Sequence, residues 1–272
     1  MSEYYLSRDD APFSQSVWEM IDDIVVGAAK SQLAARRLLP IEGPYGAGFK
    51  TLHGPMREVR PAEKNGGVSL RSSSGTPVTE LVTTFSLAIS DIATFEQTSE
   101  PVDHGPIARA AITLAGKEDD LIFNGNKELG VSGLINTPGT QTLKLKGWDS
   151  PGKAAEDMIQ AVTLLDDAGF HGPYTLGLAS PLYNLLFRVY TNTSMTELQH
   201  LQTLVTDGIV KVSAIKTGGV LIASGKQFAS IALGQDILTS FIGPDTRNLE
   251  FAISESLALR ITEPSALCIL QG

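Results

Sequence analysis

A long segment near the front of the chain carries few apolar side chains, and it constrains the fold more than any other feature. Between residues 49 and 84, turn-forming residues interrupt short strand-like pieces at Gly54-Pro55, Asn65-Gly66-Gly67, Ser72-Ser73-Ser74-Gly75 and Thr76-Pro77. So long a segment with so little core-forming content is typical either of disorder or of an arm that finds its partners on another subunit. An ordered two-stranded arm is favoured by its apolar residues, Val68, Leu70, Val78 and Leu81.

The rest of the chain has the composition of an ordinary globular protein. Its 272 residues are 42% hydrophobic and 19% charged, which is enough for one large domain or two modest ones. The formal net charge is -9, from 21 basic and 30 acidic residues, and the basic residues are scattered. Because phosphate binding requires clustered lysine and arginine, we expect no nucleic-acid partner.

The N-terminus and the single cysteine bear on the cellular compartment. Residues 1–13 are polar and acidic, whereas a signal peptide begins with a basic stretch followed by an apolar one. No run of residues approaches the ~18 apolar residues of a membrane span. Cys268 lies in an apolar run, which favours a buried and inert thiol. We therefore expect a cytoplasmic protein that has no membrane partner.

Helical and strand patterns alternate along the remaining sequence and predict an α+β fold. Ser16 and Glu19 match the pattern of a capping box, which predicts a helix that begins there and extends to about Leu39. Further helices are predicted over 105–124, 150–169 and 180–190, and strands over 174–178, 209–212, 220–223, 230–233 and 249–261. The last strand is unusually long, and Glu255 is the one charged residue on its apolar face.

No arrangement of residues indicates a catalytic or metal site. The four histidines, at 53, 104, 171 and 200, have no spacing typical of metal ligands. Residues 130–133 lack the spacing of a serine-hydrolase elbow, and the glycines at 43–48 lack the elements that flank a phosphate-binding loop. We expect solvated helix faces or intersubunit salt bridges at the adjoining acids Asp22-Asp23, Glu118-Asp119-Asp120 and Asp166-Asp167. A well-patterned chain without reactive groups favours a structural role.

Several short motifs follow one another along nearly the whole chain. They are Trp18 with Ile21-Asp22, Ala35-Arg36-Arg37, Ile41-Glu42-Gly43-Pro44-Tyr45-Gly46, Thr84-Phe85-Ser86-Leu87, residues 118–125, Gly130 to Leu134, Gly172-Pro173-Tyr174, Leu233 to Asp236 and Glu255 to Leu259. No single motif is decisive. Their collinear order and near-matching spacing resemble the encapsulin family, whose members have also been labelled linocin or bacteriocin-like proteins.

The resemblance implies the tailed-phage major capsid fold of the Hong Kong 97 type. This fold comprises an N-terminal helix, an extended arm called the E-loop, a peripheral domain and an axial domain. The corresponding residues would be 1–48 for the N-terminal helix and connector, 49–84 for the arm, 85–133 and 225–272 for the peripheral domain, and 134–224 for the axial domain. The arm would lie across a neighbouring subunit, and copies of the chain would close into an icosahedral shell.

Members of the family package a cargo enzyme through a short C-terminal peptide that docks on the inner wall of the shell. The resemblance implies a dock between the first helix and the C-terminal strands, as an apolar groove rimmed by a cation. Its predicted residues are Ile24, Leu33, Arg36, Phe251, Ile253 and Leu257, and simple core packing stays an equal alternative for each. The usual cargoes are ferritin-like or hemerythrin-like iron proteins and dye-decolourising peroxidases.

The resemblance also implies a pore and bears on a cofactor. The loop around the five-fold opening of relatives corresponds to Tyr190, Thr191, Asn192, Thr193 and Ser194. These residues would line the opening with small polar side chains, and neighbouring acids such as Glu197 would supply selectivity. Some members carry a tryptophan that supports a bound flavin where this chain has Ser90. We therefore expect no flavin and no other cofactor.

Two alternative functions stay open. A phage or prophage major capsid protein would share the fold, but it usually needs a scaffolding segment or partner, and the chain shows no long charged N-terminal extension. A stand-alone hydrolase or bacteriocin, which the older label suggests, would need a nucleophile and a base that the sequence lacks.

Overall fold

An 18-residue helix near the N-terminus packs along a 20-residue helix that comes from the middle of the chain. The computed structural model describes residues 3–59, 70–98, 100, 102–191 and 193–272. The α-helices are α1 (Gln15–Gln32), α2 (Ala35–Leu38), α3 (Ile89–Thr98), α4 (Gly105–Asn124), α5 (Lys153–Asp167), α6 (Ser180–Leu185) and α7 (Glu197–Leu204). Within the described ranges, no helix combines the length and the apolar character that crossing a membrane requires.

The strands form three sheets in the described part of the chain. The strands are β1 (Ile41–Glu42), β2 (Thr51–Val59), β3 (Leu70–Pro77), β4 (Thr79–Ala88), β5 (Gln141–Lys144), β6 (Tyr174–Ala179), β7 (Ile209–Val212), β8 (Gly219–Ala223), β9 (Ala229–Pro244), β10 (Asn248–Ile261) and β11 (Leu267–Gln271). The first sheet has the order β1-β9-β10-β4, and the second has the order β5-β11-β8-β6-β7. Strands β2 and β3 pair with each other as a separate two-stranded sheet.

Two large apolar cores hold these layers together. The smaller core lies between α1, α4 and the part of the first sheet that contains Phe85, Phe241 and Phe251. There, Phe251 stacks on Phe85 with the ring centroids 5.0 Å apart. The larger core joins α5 and the second sheet to the last turn of α4. It also includes Ile231, Leu233, Leu257 and Leu259 of the first sheet. Both central strands β6 and β8 are buried along their whole length, which explains their uninterrupted apolar character.

The structure confirms the predicted helix over 105–124 and the strand over 209–212, and it corrects three other elements. The predicted helix over 180–190 ends at Leu185, because the chain turns there into an irregular loop. The strand predicted over 230–233 continues to Pro244, since its second half pairs with β10. Ser150 does not cap α5, whose N-cap is Gly152 in a left-handed conformation with φ of 101°.

The weakly apolar segment forms the arm that its composition predicts. Strand β2 runs antiparallel to β3, and the pairing extends from Thr51 opposite Pro77 to Val59 opposite Leu70. At its base, Leu52 is buried with Ala232 and Ala258 of the first sheet. The exposed side chains of residues 71–75 lie beyond this base. Val68 falls outside the described residues.

The strand pairings of the sheets cross two of the predicted domain boundaries. Strand β4 crosses the arm boundary at residue 84, because its residues from Thr79 to Ala88 all pair with β10. Residues 225–272, predicted as one part of the peripheral domain, are divided between the two larger sheets. Their last strand, β11, inserts between β5 and β8 of the second sheet, where Leu267 to Leu270 are all buried. A run of four consecutive apolar residues fits a strand that is covered on both faces.

A buried carboxylate explains why the first helix breaks. The chain leaves α1 at Leu33 and resumes as α2, whose free backbone amides at Ala34 and Ala35 donate to the Asp119 carboxylate at 2.8 to 3.1 Å. Asp119 belongs to α4, so this cap comes from a distant part of the sequence. Burial raises the pKa of Asp119 to about 6, although its backbone hydrogen bonds act in the opposite direction.

The adjacent residue, Glu118, belongs to a buried ion cluster around the Arg36 guanidinium. Arg36 donates to Glu118 at 2.8 to 3.0 Å, to Glu255 at 2.7 Å and to Asp236 at 2.7 Å. Burial, followed by the charge of Glu118, raises the pKa of Glu255 to about 9. Glu118 and Glu255 have no exposed side-chain surface. The prediction of a solvated acidic face at residues 118–120 is therefore wrong for Glu118 and Asp119, which are both buried.

We predict that Glu255→Gln protects the protein at alkaline pH. The folded-state pKa of Glu255 lies above its unfolded value, so folding favours the protonated form, and stability falls as pH rises towards the folded pKa. A glutamine can still accept from Arg36 and donate to Glu118 without a proton to lose. Wild type should lose on the order of 1 kcal/mol more per pH unit between about pH 5 and pH 9 than the variant. Thermal unfolding across this range measures the difference.

Glu250→Gln provides the matched control, because Glu250 is an exposed carboxylate on the same strand. Its pH profile should follow that of wild type. Parallel pH profiles for wild type and Glu255→Gln would show that Glu255 is charged in the folded protein.

Candidate functional site

Among the described residues, groups that could bind a metal ion or act as a nucleophile are the first candidates for a functional site. No group of three or more histidine, cysteine, aspartate or glutamate side chains in these ranges could hold a metal ion. Cys268 is buried, and burial raises the pKa of its thiol to about 11, so the reactive thiolate is scarce at neutral pH. The candidate sites described below are a surface groove and a surface loop.

A groove of about 470 Å³ runs between α1, the N-terminal turns and β9. It is lined by Leu6, Arg8, Asp22, Val25, Val26, Pro44 and the β9 residues Gln235, Asp236, Ile237, Leu238 and Thr239. Its lining is mostly apolar, and Val26 leaves 42% of its surface exposed. The helical spacing of α1 positions one wall, because residues one turn apart face the same side. An extended peptide with apolar side chains suits such a groove.

Ion pairs occupy both ends of the groove. At one end, Arg8 binds Asp22 of α1 through two hydrogen bonds of 2.6 and 2.8 Å. At the other end, Asp236 forms an ion pair of 2.7 Å with the Arg36 guanidinium. Burial by itself lowers the pKa of Arg36. The hydrogen bonds and charges of its carboxylate partners outweigh burial and raise this pKa above its ordinary value. The predicted cation of the rim, Arg36, is paired with buried Glu118 and with exposed Asp236, so carboxylates compensate its charge.

The six residues predicted for the dock are placed at different depths. Phe251, Ile253 and Leu257 have no exposed surface. These three side chains fill the apolar cores and cannot contact a peptide in this conformation. The alternation of apolar residues along β10 identifies one face of the strand, but it does not reveal that this face is already covered.

The other three predicted residues lie behind the groove or beside it. Ile24 is half-buried and packs against the smaller core next to the lining residue Val25. Leu33 is buried in a small cluster against which the lining residue Ile237 packs. Arg36 binds the lining residue Asp236 directly. The structure therefore brings these three residues to the groove without making any of them part of its lining.

Sequence reasoning missed the N-terminal turns and the second half of β9. Leu6 and Arg8 belong to a stretch whose polar, acidic character was interpreted only as evidence against a signal peptide. Ile237 and Leu238 lie beyond the predicted end of their strand. The available signal was the β-branched and aromatic content of residues 237–242, which is typical of a strand and continues it beyond Leu233.

The predicted pore loop connects α6 to α7. Thr191, Thr193 and Ser194 are exposed, and Asn192 lies outside the described residues. The Tyr190 hydroxyl lies 2.8 Å from His200 Nδ1 on α7, and the Tyr190 backbone amide donates to the Met195 carbonyl. Burial and the charge of Glu197 raise the pKa of Tyr190. The described part of the loop is thus anchored at Tyr190 and exposes hydroxyl groups beyond it.

The expectation that Glu197 supplies selectivity is wrong. Glu197 is fully buried, and its carboxylate accepts hydrogen bonds from Arg188 at 2.8 and 3.1 Å and from the Gly152 amide at 2.7 Å. A carboxylate that is buried and paired in this way holds the base of the loop and presents no charge to passing ions.

Comparison with known proteins identifies the family of this chain. The model of the Linocin_M18 family, described as encapsulating protein for peroxidase, matches residues 2–258. The type 1 encapsulin shell protein EncA of Myxococcus xanthus is 29% identical, over 98% of this chain and 96% of that protein. A diheme-cytochrome-encapsulin shell fusion protein of Kuenenia stuttgartiensis is also 29% identical, over 99% of this chain and 75% of that protein. A ferritin-like-encapsulin shell fusion protein of Pyrococcus furiosus is 26% identical over 59% of this chain and 46% of that protein.

Solved structures establish the fold. The crystal structure of a virus-like particle from Pyrococcus furiosus has a TM-score of 0.75 at 20% identity and covers 94% of this chain and 99% of that one. The capsid of Myoviridae phage XM1 has a TM-score of 0.57 at 11% identity, covering 86% and 89%. The chain therefore has the tailed-phage capsid fold that its resemblance implied. Together with the family match over residues 2–258, this shows that the chain belongs to the family of encapsulating proteins for peroxidase, the encapsulin shell proteins.

Proposed function

We propose that this chain is the shell subunit of a closed icosahedral compartment that encloses a cargo enzyme and retains it through a C-terminal targeting peptide. The chain itself is structural rather than catalytic, as are the shell proteins of its family. The observation that carries the proposal is the arm, whose two strands pair only with each other among the described residues.

A two-stranded sheet is marginally stable in water when nothing covers its faces. Residues 71–75 of the arm are exposed, and Leu52 at its base is buried against the first sheet. Its strands also present edges with unpaired backbone groups, which natural proteins usually cover. A neighbouring copy of the chain supplies both a face and an edge in the proposed shell.

The groove is the proposed dock for the cargo. It combines apolar walls with an open edge of β9, and both features suit an extended peptide. The relatives that are fused to a ferritin-like domain or a diheme cytochrome support an enzyme cargo, because fusion achieves the same colocalisation as a targeting peptide. By the same comparison, we propose a ferritin-like iron-storage protein or a peroxidase as the cargo.

The proposed compartment is cytoplasmic and has neither a membrane nor a nucleic-acid partner. The net charge of -9 disfavours retention of nucleic acid in the lumen. We also propose that the shell binds no flavin. Ser90 lies exposed in the first turn of α3, and its small hydroxyl side chain provides no aromatic face for a flavin ring.

The two alternatives are less well supported. The likeness to phage capsids concerns the fold alone, at 11% identity, whereas the family match covers residues 2–258 and concerns encapsulating proteins. The hydrolase alternative has no support from a family whose shell proteins are structural.

Removal of the arm should abolish assembly and leave the subunit folded. His53 and Gly75 face each other across the arm, so residues 54–74 can be replaced by Asn-Gly, which closes a two-residue hairpin. We expect wild type to form hollow particles of uniform size and the shortened chain to remain a monomer or small oligomer. Light scattering and negative-stain microscopy distinguish these results.

The control for this deletion keeps the arm and changes two exposed side chains on it, as Ser72→Thr with Ser73→Thr. This variant should assemble, because threonine favours strands. Cooperative thermal unfolding of the shortened chain shows that it is folded. Normal particles from the shortened chain would refute the role of the arm between subunits.

A bulky residue in the groove should prevent cargo retention. Val26→Trp places an indole on the exposed wall of the groove, and it should exclude a peptide without disturbing the core. The assay co-expresses the shell with a fluorescent protein that carries short randomised C-terminal tails. The fluorescence retained per purified particle and the sequences of the recovered tails are then measured.

Ile159→Trp is the matched control, since Ile159 is 54% exposed on α5 and does not line the groove. Its particles should retain the reporter, whereas Val26→Trp particles should retain only the background level of an untailed reporter. Equal retention by both variants would place the dock elsewhere.

The loop at residues 190–194 is the proposed rim of the five-fold opening, and a charge at its exposed Thr193 should alter ion passage. Thr193→Asp should slow the entry of iodide into loaded particles and Thr193→Lys should accelerate it, because a ring of like charges changes the local concentration of ions. Quenching of an encapsulated iodide-sensitive fluorescent protein measures the rate. Neutral acrylamide serves as the control quencher. Identical iodide rates in the two variants would exclude this loop from the pore.

A further inference from the structure

The N-terminal segment before α1 contributes directly to the groove. Two short 3-10 turns, Glu3–Leu6 and Arg8–Asp10, lie against β9, and Leu6 and Arg8 are part of the groove lining. Ser7 joins the turns with a φ of 48°, a left-handed conformation that is uncommon for residues other than glycine. Contacts made by neighbouring residues must stabilise such a conformation.

The Arg8 side chain makes these contacts. Its two terminal nitrogens donate to both carboxylate oxygens of Asp22, and its Nε donates to the Thr239 carbonyl of β9 at 3.0 Å. The guanidinium carbon also lies 4.3 Å from the centre of the Trp18 ring. Arg8 is 18% exposed and thus largely withdrawn from water. One side chain therefore fastens the segment to α1 and to β9, which are the two long walls of the groove.

The position of Arg8 also limits the open edge of β9. The first part of this edge is covered, because β1 pairs with Ile231 and Ala232 and the chain after Gly43 donates backbone hydrogen bonds to Leu233 and Gly234. Arg8 covers the edge again at Thr239. Residues 235–238 lie between these two covers, and on this edge of β9 they have no strand partner in the described structure, since β10 pairs with the opposite edge. This stretch is roughly 13 Å long at the usual rise of a strand.

We propose that residues 6–8 form an end wall of the cargo groove and that Arg8 is the positioning residue that holds this wall in place. The inference rests on the proposed function of the groove as the cargo dock. The segment lines the groove and does not fill it, since about 470 Å³ stays open beside it. The wall contributes the apolar contact of Leu6 and ends the open edge at Thr239, so the groove captures a peptide best while the wall is in place.

The test measures packaging of the randomised-tail fluorescent reporter in Arg8→Ala shells. We expect particles of normal size and yield with about tenfold less reporter per particle, which corresponds to about 1.4 kcal/mol of binding free energy. Asp9→Ala with Asp10→Ala changes two exposed residues of the same segment that do not line the groove, and it should package as wild type does. A second comparison uses Arg8→Asp, which should lose packaging, and Arg8→Asp with Asp22→Arg, which should recover part of it by restoring the pair.

Each outcome separates this inference from the proposed function. Packaging by Arg8→Ala at or above the wild-type level overturns the inference, and an increase would mean that the segment competes with the peptide. Failure of both Arg8 variants to form particles, without recovery in the exchanged pair, overturns it as well, because Arg8 would then serve folding alone. If Val26→Trp packages normally, the dock itself is wrong. If Val26→Trp blocks packaging while Arg8→Ala does not, only the end wall is wrong.

Discussion

The largely buried guanidinium of Arg36 joins four separate parts of the chain, and it links the positions of the elements that carry its partners. Arg36 lies on α2, and its partners Glu118, Asp236 and Glu255 lie on α4, β9 and β10. Three carboxylates around one cation would leave excess negative charge in a poorly hydrated place. The raised pKa of Glu255 resolves this conflict, because a protonated Glu255 at neutral pH leaves Glu118 paired with Arg36 and Asp236 at the surface. The cluster thereby aligns the end of the first helix with the strand that forms one wall of the groove.

The arm and the groove differ in whether the contacts that complete them lie within one subunit. The two strands of the arm satisfy each other's backbone groups on one side only, and residues 71–75 of the second strand are exposed. The groove is formed within one subunit, from α1, β9 and the N-terminal turns. In the proposed shell, assembly depends on what a neighbouring copy provides, whereas the proposed capture of a peptide depends on contacts within a single chain. This division is consistent with a container in which shell formation and cargo choice are separate properties.

Patterns within one element were the most predictable from sequence. The helix over 105–124 and the long strand near the C-terminus have apolar residues at the periods of their structures, and both were found within a residue of their predicted ends. Glu255 was correctly identified as an acid in an apolar row. The break after α1 was not predictable, because the carboxylate that caps α2 comes from α4. The apolar run of β11 is typical of a strand that is covered on both faces, but its insertion between β5 and β8 depends on those two partner strands.

The sequence by itself determined the fold class, the weakly apolar arm, the lack of a recognisable catalytic motif and the family, because composition, periodicity and the order of short motifs are properties of the linear chain. Only the tertiary structure decided which of the predicted dock residues can meet a peptide. Phe251, Ile253 and Leu257 show the same alternation as residues on an open strand face, but α1, α4 and the second sheet cover them. It also decided that Arg36 is neutralised and that Arg8 borders the groove, since burial and charge pairing arise from residues far apart in the chain.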